Sequence, residues 1–201
     1  MTRIHVTGTG AARAVPDYAT LHFRAQAEAA TPAEALETVG RYASAVQRTL
    51  DDLGTDRADR GNQSTTVQRR SRWDDGTETL LGWQGAMTTE CTVRDVTQAF
   101  RVLEAVAALE HVGATGPDWR ISQDNPAHAR AREAAVAAAR ATAEDYARAC
   151  GLTLGELVRV GDAEPVVGPL RAASMRAVAA ETVDPELAEV TATVSMEWET
   201  A

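Results

Sequence analysis

Four histidines could bind a metal ion in this chain, and their spacing argues against it. His5 and His22 lie in two strand-like segments joined by a turn near Pro16, which would leave them offset by several residues across a hairpin. The other two lie before a helix break and in a first helical turn, at His111 and His128. We therefore expect no metal site and no cofactor.

Motifs of nucleophilic catalysis are missing from the sequence, which contains neither Gly-x-Ser-x-Gly nor His-Glu-x-x-His. Cys91 and Cys150 lie in apolar patterns typical of reduced core thiols. Gly8-Thr9-Gly10 follows a strand but leads to a turn, so it indicates a bulge or close packing of a long helix rather than a dinucleotide loop. We expect no catalytic residue; an acid such as Glu90 would be a candidate only in a pocket lined by perturbed acids.

The most polar and aromatic run is 69–73, Arg-Arg-Ser-Arg-Trp, directly before Asp74-Asp75-Gly76. Arginine and tryptophan anchor many protein interfaces, so Arg70, Arg72 and Trp73 are the candidate partner-binding residues. The alternative is a solvated edge hairpin whose arginines pair with nearby acids and whose charges prevent edge-to-edge aggregation. Runs of charged residues are more often solvated surface than contact sites, and both interpretations stay open.

Composition narrows the class of partner. The chain has 201 residues, 20 basic and 29 acidic, for a net charge of −9, and every basic residue is an arginine. An acidic chain repels phosphate, so nucleic acid is not an expected partner. The length suffices to bury one core, and we expect a single domain over residues 1–201.

Cysteine content and hydropathy suggest the compartment. Two cysteines cannot form a disulfide framework, which fits a reducing environment. The N-terminus runs directly into strand-like alternation without an apolar export segment, and no stretch approaches the roughly 18 apolar residues of a membrane span. We expect a cytoplasmic protein without a membrane span, or a periplasmic one if the sequence has been trimmed.

The first half of the chain shows two strand pairs and two helices. Segments 4–15 and 18–29 alternate around Pro16-Asp17, which predicts a hairpin whose second strand buries Leu21, Phe23, Ala25 and Ala27. Thr31 with Glu34 forms a capping box for a helix over 32–53. Segments 63–73 and 80–93 flank Asp75-Gly76 and predict a second hairpin. Asp95 then caps a second helix, which ends at Gly113.

The second half adds a strand near 118–123 and a long helix over 126–150. One face of that helix is almost all alanine, at Ala127, Ala131, Ala134, Ala135, Ala138 and Ala141, which lets a sheet or a partner helix approach closely. A strand near 157–160, an irregular excursion over 162–187 and a last strand over 190–198 follow. The order β-β-α-β-β-α-β-α-β-loop-β predicts an α+β fold with mixed, mainly antiparallel sheets and three principal helices.

Short motifs spread over nearly the whole chain carry a family resemblance: Val6-Thr7-Gly8-Thr9-Gly10 with Pro16-Asp17, Gly82-Trp83 with Thr92-Val93-Arg94-Asp95, Arg132-Glu133-Ala134, Cys150-Gly151-Leu152 with Leu154-Gly155-Glu156, and Val190-Thr191-Ala192-Thr193-Val194. Together with the element order they resemble the SIMPL domain family of unknown function. The resemblance implies bacterial relatives that are periplasmic or outer-membrane-associated immunogenic proteins or oxidative-stress defence factors, and ring-like oligomers. It supplies no catalytic residues, and this sequence departs from those relatives in lacking their export signal.

These observations favour a non-catalytic, self-assembling protein-interaction domain, a homo-oligomer with a stress- or envelope-related role. The alternative is a small-molecule-binding protein or an enzyme with an unrecognised pocket.

Overall fold

The computed structural model describes residues 2–162 and 185–201. Within them the elements follow the predicted order: β1 Arg3–Ala14, β2 Tyr18–Ala29, α1 Pro32–Asp52, β3 Arg60–Asp74, β4 Thr77–Val93, α2 Ala99–Ala107, β5 Val112–Arg120, α3 Pro126–Ala149, β6 Leu154–Asp162 and β7 Ala188–Thr200. Every strand pairing is antiparallel. The predicted α+β class, with antiparallel sheets and three principal helices, is confirmed.

Two compact units make up the chain. The terminal unit comprises Met1–Pro16 and Ile121–Ala201, and the central unit comprises Asp17–Arg120. The terminal unit contains a three-stranded sheet in the order β1-β7-β6, and the central unit contains a four-stranded sheet in the order β3-β4-β2-β5. Each unit therefore has its own sheet; among the described residues, α1 and α2 belong to the central unit and α3 to the terminal unit.

The predicted hairpin between the first two strands is wrong. β1 pairs along its whole length with β7, from Arg3 opposite Glu199 to Ala14 opposite Ala188, while β2 lies between β4 and β5. Alternation showed which face of each strand is buried but carried no information on which strand lies beside it.

The core of the central unit lies between its sheet and the helices α1 and α2. The predicted inward face of β2 is buried, and it packs in two clusters with residues of both helices and β4: Leu21, Phe23, Val46, Leu50, Cys91, Val93, Val102 and Val106 in one, Ala25, Ala27 and Val39 in the other. The capping box forms as predicted, since Thr31 Oγ1 accepts from the Glu34 amide at 3.3 Å and Glu34 Oε2 accepts from the Thr31 amide at 3.2 Å.

The second helix begins later and ends earlier than the sequence suggested. Asp95 caps a short 3₁₀ turn, Val96–Gln98, by accepting from the Thr97 amide at 3.0 Å. α2 begins after that turn without a side-chain cap, and Gly113 lies inside β5 rather than at the helix end.

The terminal unit packs α3 across its sheet, one of the two arrangements predicted. The buried row on α3 has a spacing of four: Ala127, Ala131, Ala135, Ala139, Ala143 and Ala147. Ala134 and Ala141, expected on this face, are exposed. Gly8 and Gly10 of β1 lie against this row, so the predicted close packing of the long helix explains both glycines.

The irregular excursion expected over 162–187 lies almost entirely outside the described residues. Asp162 ends β6, and residues 185–187 lead into β7. In β7 the predicted inward residues Val190, Val194, Met196 and Trp198 are buried, and Ala192 is half-buried.

Candidate functional site

The hairpin of β3 and β4 carries the residues that the sequence singled out. Asp75 and Gly76 form its turn with φ angles of 44° and 80°, the left-handed pair that a two-residue type I′ turn requires. The ladder is regular from Asp74 opposite Thr77 to Ser71 opposite Leu80, and then shifts so that Arg70 lies opposite Gly82. Leu81 is the extra residue of this bulge.

Beyond the bulge, the hairpin end is exposed and partly apolar. Trp73 is 70% exposed, Leu80 46% and Leu81 49%. Ser71 lies opposite Leu80 and Trp73 opposite Glu78, so Trp73 and Leu80 are diagonal neighbours on one face of the ribbon. Large apolar side chains grouped and exposed in this way are typical of contact sites. We call Trp73, Leu80 and Leu81 the hairpin tip.

The structure separates the three predicted partner-binding residues. Arg70 and Arg72 lie on one face of β3 and Trp73 on the other, because side chains alternate along a strand. Arg70 forms an ion pair with Glu28 of β2. Arg72 is exposed opposite Thr79. Of the three, Trp73 alone belongs to the hairpin tip.

Leu80 and Leu81 were missed as site residues. Their signal was present, because two adjacent leucines interrupt the alternation at the start of β4. Both leucines lie in the exposed first part of β4, which becomes buried only from Gly82 onward.

A second polar cluster lies on the sheet face of the central unit that points away from its helices. His22 Nδ1 lies 4.0 Å from a carboxylate oxygen of Glu90, and Nε2 lies 3.5 Å from one of Asp118. Glu90 also accepts a hydrogen bond from Gln63. The carboxylates face different ring nitrogens, so they link β4, β2 and β5 rather than surround one point.

The other histidines have separate surroundings. His5 Nε2 lies 2.5 Å from Ser195 Oγ across β1 and β7, and the His111 ring stacks on Tyr42. His5 and His22 therefore belong to strands of two different sheets, whereas the predicted hairpin had placed them on neighbouring strands. In residues 2–162 and 185–201, no group of three or more His, Cys, Asp or Glu side chains could hold a metal ion.

The two cysteines differ in accessibility. Cys91 is fully buried, and burial raises the pKa of its thiol to about 11. Cys150, at the end of α3, is exposed, whereas a core position was expected. In the described part of the chain, no helix is both long enough and apolar enough to cross a membrane.

Comparison with known proteins identifies a family and a curated relative. The family model SIMPL, described as a protein of unknown function (DUF541), matches residues 4–198. The 26 kDa periplasmic immunogenic protein of Brucella melitensis biotype 1 is 27% identical over 192 residues, which cover 90% of this chain and 76% of the relative. The match runs through both units of the fold.

Proposed function

The chain belongs to the SIMPL family, whose function is unknown, and from this premise we propose that it is a non-catalytic protein that assembles with itself through the hairpin tip. The observation that carries the proposal is the exposure of Trp73 beside Leu80 at the end of β3 and β4. A tryptophan that becomes buried when two chains associate is a strong anchor at the interface. Replacing such a residue by alanine often lowers the binding free energy by about 2 kcal/mol or more.

The edge position of β3 supports the same proposal. β3 is an outer strand of the four-stranded sheet, so its free backbone groups can pair with another chain next to the tip. Arg72, also exposed there, can donate to a partner carboxylate on an acidic second copy. Arg70 is expected to contribute less, because Glu28 already binds its guanidinium.

Light scattering coupled to size-exclusion chromatography tests assembly. We expect the mass to rise above the monomer's 21.4 kDa as concentration increases from about 1 to about 500 μM. Trp73→Ala should raise the concentration needed for assembly about tenfold or more, and Arg72→Ala by less. A constant mass of 21.4 kDa at every concentration would refute self-assembly.

Tyr146→Ala is the matched control, because Tyr146 is also an exposed aromatic residue and lies on α3 in the terminal unit. It should leave assembly unchanged. If Trp73→Ala and Tyr146→Ala have the same effect, the hairpin tip is not the contact site, even where the wild-type protein assembles.

We propose the cytoplasm as the compartment and a stress- or envelope-related role. The exposed thiol of Cys150 supports a reducing environment, where such a cysteine stays free. The competing location is the periplasm, which the name of the Brucella relative states for that protein. Fractionation of cells that express the full-length gene product decides between them, and recovery in the periplasmic fraction would reject the cytoplasmic proposal.

A further inference from the structure

A polar cleft lies in the central unit where β5 is shorter than its neighbour. Pairing between β2 and β5 ends at Ala25 opposite Val112, and β2 continues to Ala29 without a strand on that side. The space between this end of β2, the start of β5 and α1 is a cleft of about 610 Å³. That volume is in the range of sites that hold small organic molecules.

The charge around the cleft is locally positive in a chain of net charge −9. Arg24 of β2 lines the cleft and is exposed, and Arg41 of α1 donates to Thr38 Oγ1 on the wall at 3.2 Å. Within residues 2–162 and 185–201, neither arginine has a carboxylate at ion-pair distance. The one acid on the wall, Glu28, is already paired with Arg70. An anion therefore meets uncompensated positive charge.

One wall of the cleft offers a flat surface. The rings of Tyr42 and His111 stack with centroids 4.7 Å apart and an angle of 25°. His111 is exposed and adopts φ = 63°, and its carbonyl accepts from the Gln26 amide at 2.9 Å, which fixes its backbone beside β2. An exposed ring held in this way provides a face on which a planar group can stack.

Two side-chain amides provide further donors. Gln84 Nε2 donates to Gln26 Oε1 at 3.4 Å, and both side chains line the cleft. This contact leaves the Nε2 group of Gln26 free to donate to a ligand, since each amide nitrogen carries two hydrogens. Charge, a flat ring and amide donors therefore lie around one space.

We propose that this cleft binds a small planar organic carboxylate, with the carboxylate on Arg24 and the planar group against His111. Arginine suits this ligand because its planar guanidinium can donate two parallel hydrogen bonds to a carboxylate. The site is separate from the hairpin tip, so it adds ligand binding to the proposed assembly and does not depend on it.

NMR titration of the full chain with benzoate tests the proposal, with benzamide as the neutral analogue and inorganic phosphate as an anion without a ring. We expect saturable shifts of cleft residues with benzoate at concentrations up to about 50 mM, a range suited to such small ligands. Benzamide and phosphate should each bind about tenfold more weakly. Absence of saturation with benzoate, or equal affinity for phosphate, would overturn the proposal.

Variants assign the residues. Arg24→Gln should weaken benzoate binding about tenfold, whereas Arg132→Gln, at an exposed arginine of α3, should leave it unchanged. His111→Asn keeps a residue type that tolerates positive φ and removes the ring, so it should weaken benzoate binding several-fold and affect phosphate little. Unchanged benzoate affinity in folded Arg24→Gln, checked by circular dichroism, would reject the site.

Discussion

Gly8 of β1 lies so close to α3 that a Cβ atom built on it would be 2.5 Å from the amide nitrogen of Ala139. Real Cβ atoms do not approach backbone this closely, so the strand or the helix would have to move. We predict that Gly8→Ala lowers the free energy of unfolding by about 3 kcal/mol, because an extra methyl overpacks a contact that cannot yield cheaply. Urea denaturation measures the loss.

Gly40→Ala is the matched control for this substitution. Gly40 lies inside α1, and a Cβ atom built there has no neighbour within 4 Å. The same change should stabilise the protein by about 0.5–1 kcal/mol, because alanine loses less backbone entropy in a helix. If Gly8→Ala and Gly40→Ala change the free energy of unfolding in the same direction, close packing is not the reason for glycine at position 8.

Asp51 gives the chain a pH dependence that can be measured. Hydrogen bonds from Arg57 and then from Arg60 hold the pKa of this carboxyl below its ordinary value of 3.8. A lowered folded-state pKa stabilises the fold above the unfolded value, and the contribution is lost as pH falls through the folded one. We therefore predict that Asp51→Asn lowers the urea midpoint at about pH 7, and that the difference from wild type is smaller at about pH 3.

Asp52→Asn is the control for that experiment, because Asp52 is the next residue and has no ion pair within the described residues. Its effect should be small at both pH values. A wild-type advantage over Asp51→Asn that persists unchanged in acid would contradict the charge origin of the effect.

The thiols should differ sharply in reactivity. At pH 8 about one Cys91 in a thousand is thiolate if its pKa is about 11, and the side chain is also buried. We predict one rapidly reacting thiol per chain with a disulfide reagent, abolished by Cys150→Ser and retained in Cys91→Ser. The second thiol should react after unfolding in urea; two rapid thiols in the folded protein would contradict the burial of Cys91.

The two units should unfold together, as expected of a single domain. The ends of the central unit meet, since the Asp17 amide donates to the Arg120 carbonyl at 3.0 Å. Packing of β1 against α3 therefore closes a connection of a few residues when the central unit is folded and one of roughly 110 residues when it is not, a difference of about 2.5 kcal/mol. We predict that Leu50→Ala, in the core of the central unit, also speeds hydrogen exchange in β7.

Calorimetry provides the complementary readout for this coupling. One transition is expected for the wild-type chain, and Leu50→Ala should move it as a whole to lower temperature. Two transitions, of which Leu50→Ala moves one, would show that the units are independent domains.

Local signals in the sequence predicted the elements better than their neighbours. Thr31 with Glu34 and Asp75 with Gly76 act within a few residues, so the helix start and the hairpin turn could be placed in advance. The partner of β1 is β7, more than 170 residues away in sequence, and no local pattern identifies such a partner. The Pro16-Asp17 turn leads from one unit into the other rather than into a hairpin.

The buried face of α3 and the full extent of the candidate site could not be predicted from local sequence patterns either. Alanines occur all round the helix, so composition alone could not distinguish Ala139, which is buried, from Ala141, which is exposed. Trp73 was identified from its residue type, but its neighbour Leu80 becomes evident only from the register across the hairpin. The cleft beside Arg24 depends on where β5 ends, which is decided by tertiary pairing.

The alanine row of α3 and the glycines of β1 have nearly the same spatial period. Four residues of helix rise about 6 Å, and two residues of strand about 6.7 Å, so a slide of the helix by four residues would bring alanine and glycine together again. Because the contact between alanines and glycines repeats, it does not determine the position of α3 along β1. Alignment comes from parts that do not repeat: the Asn125 cap on the Ala127 amide, and the bulky Met196 and Trp198 packed against the same row. Small residues set how closely helix and sheet approach, and large ones set where along the strand they meet.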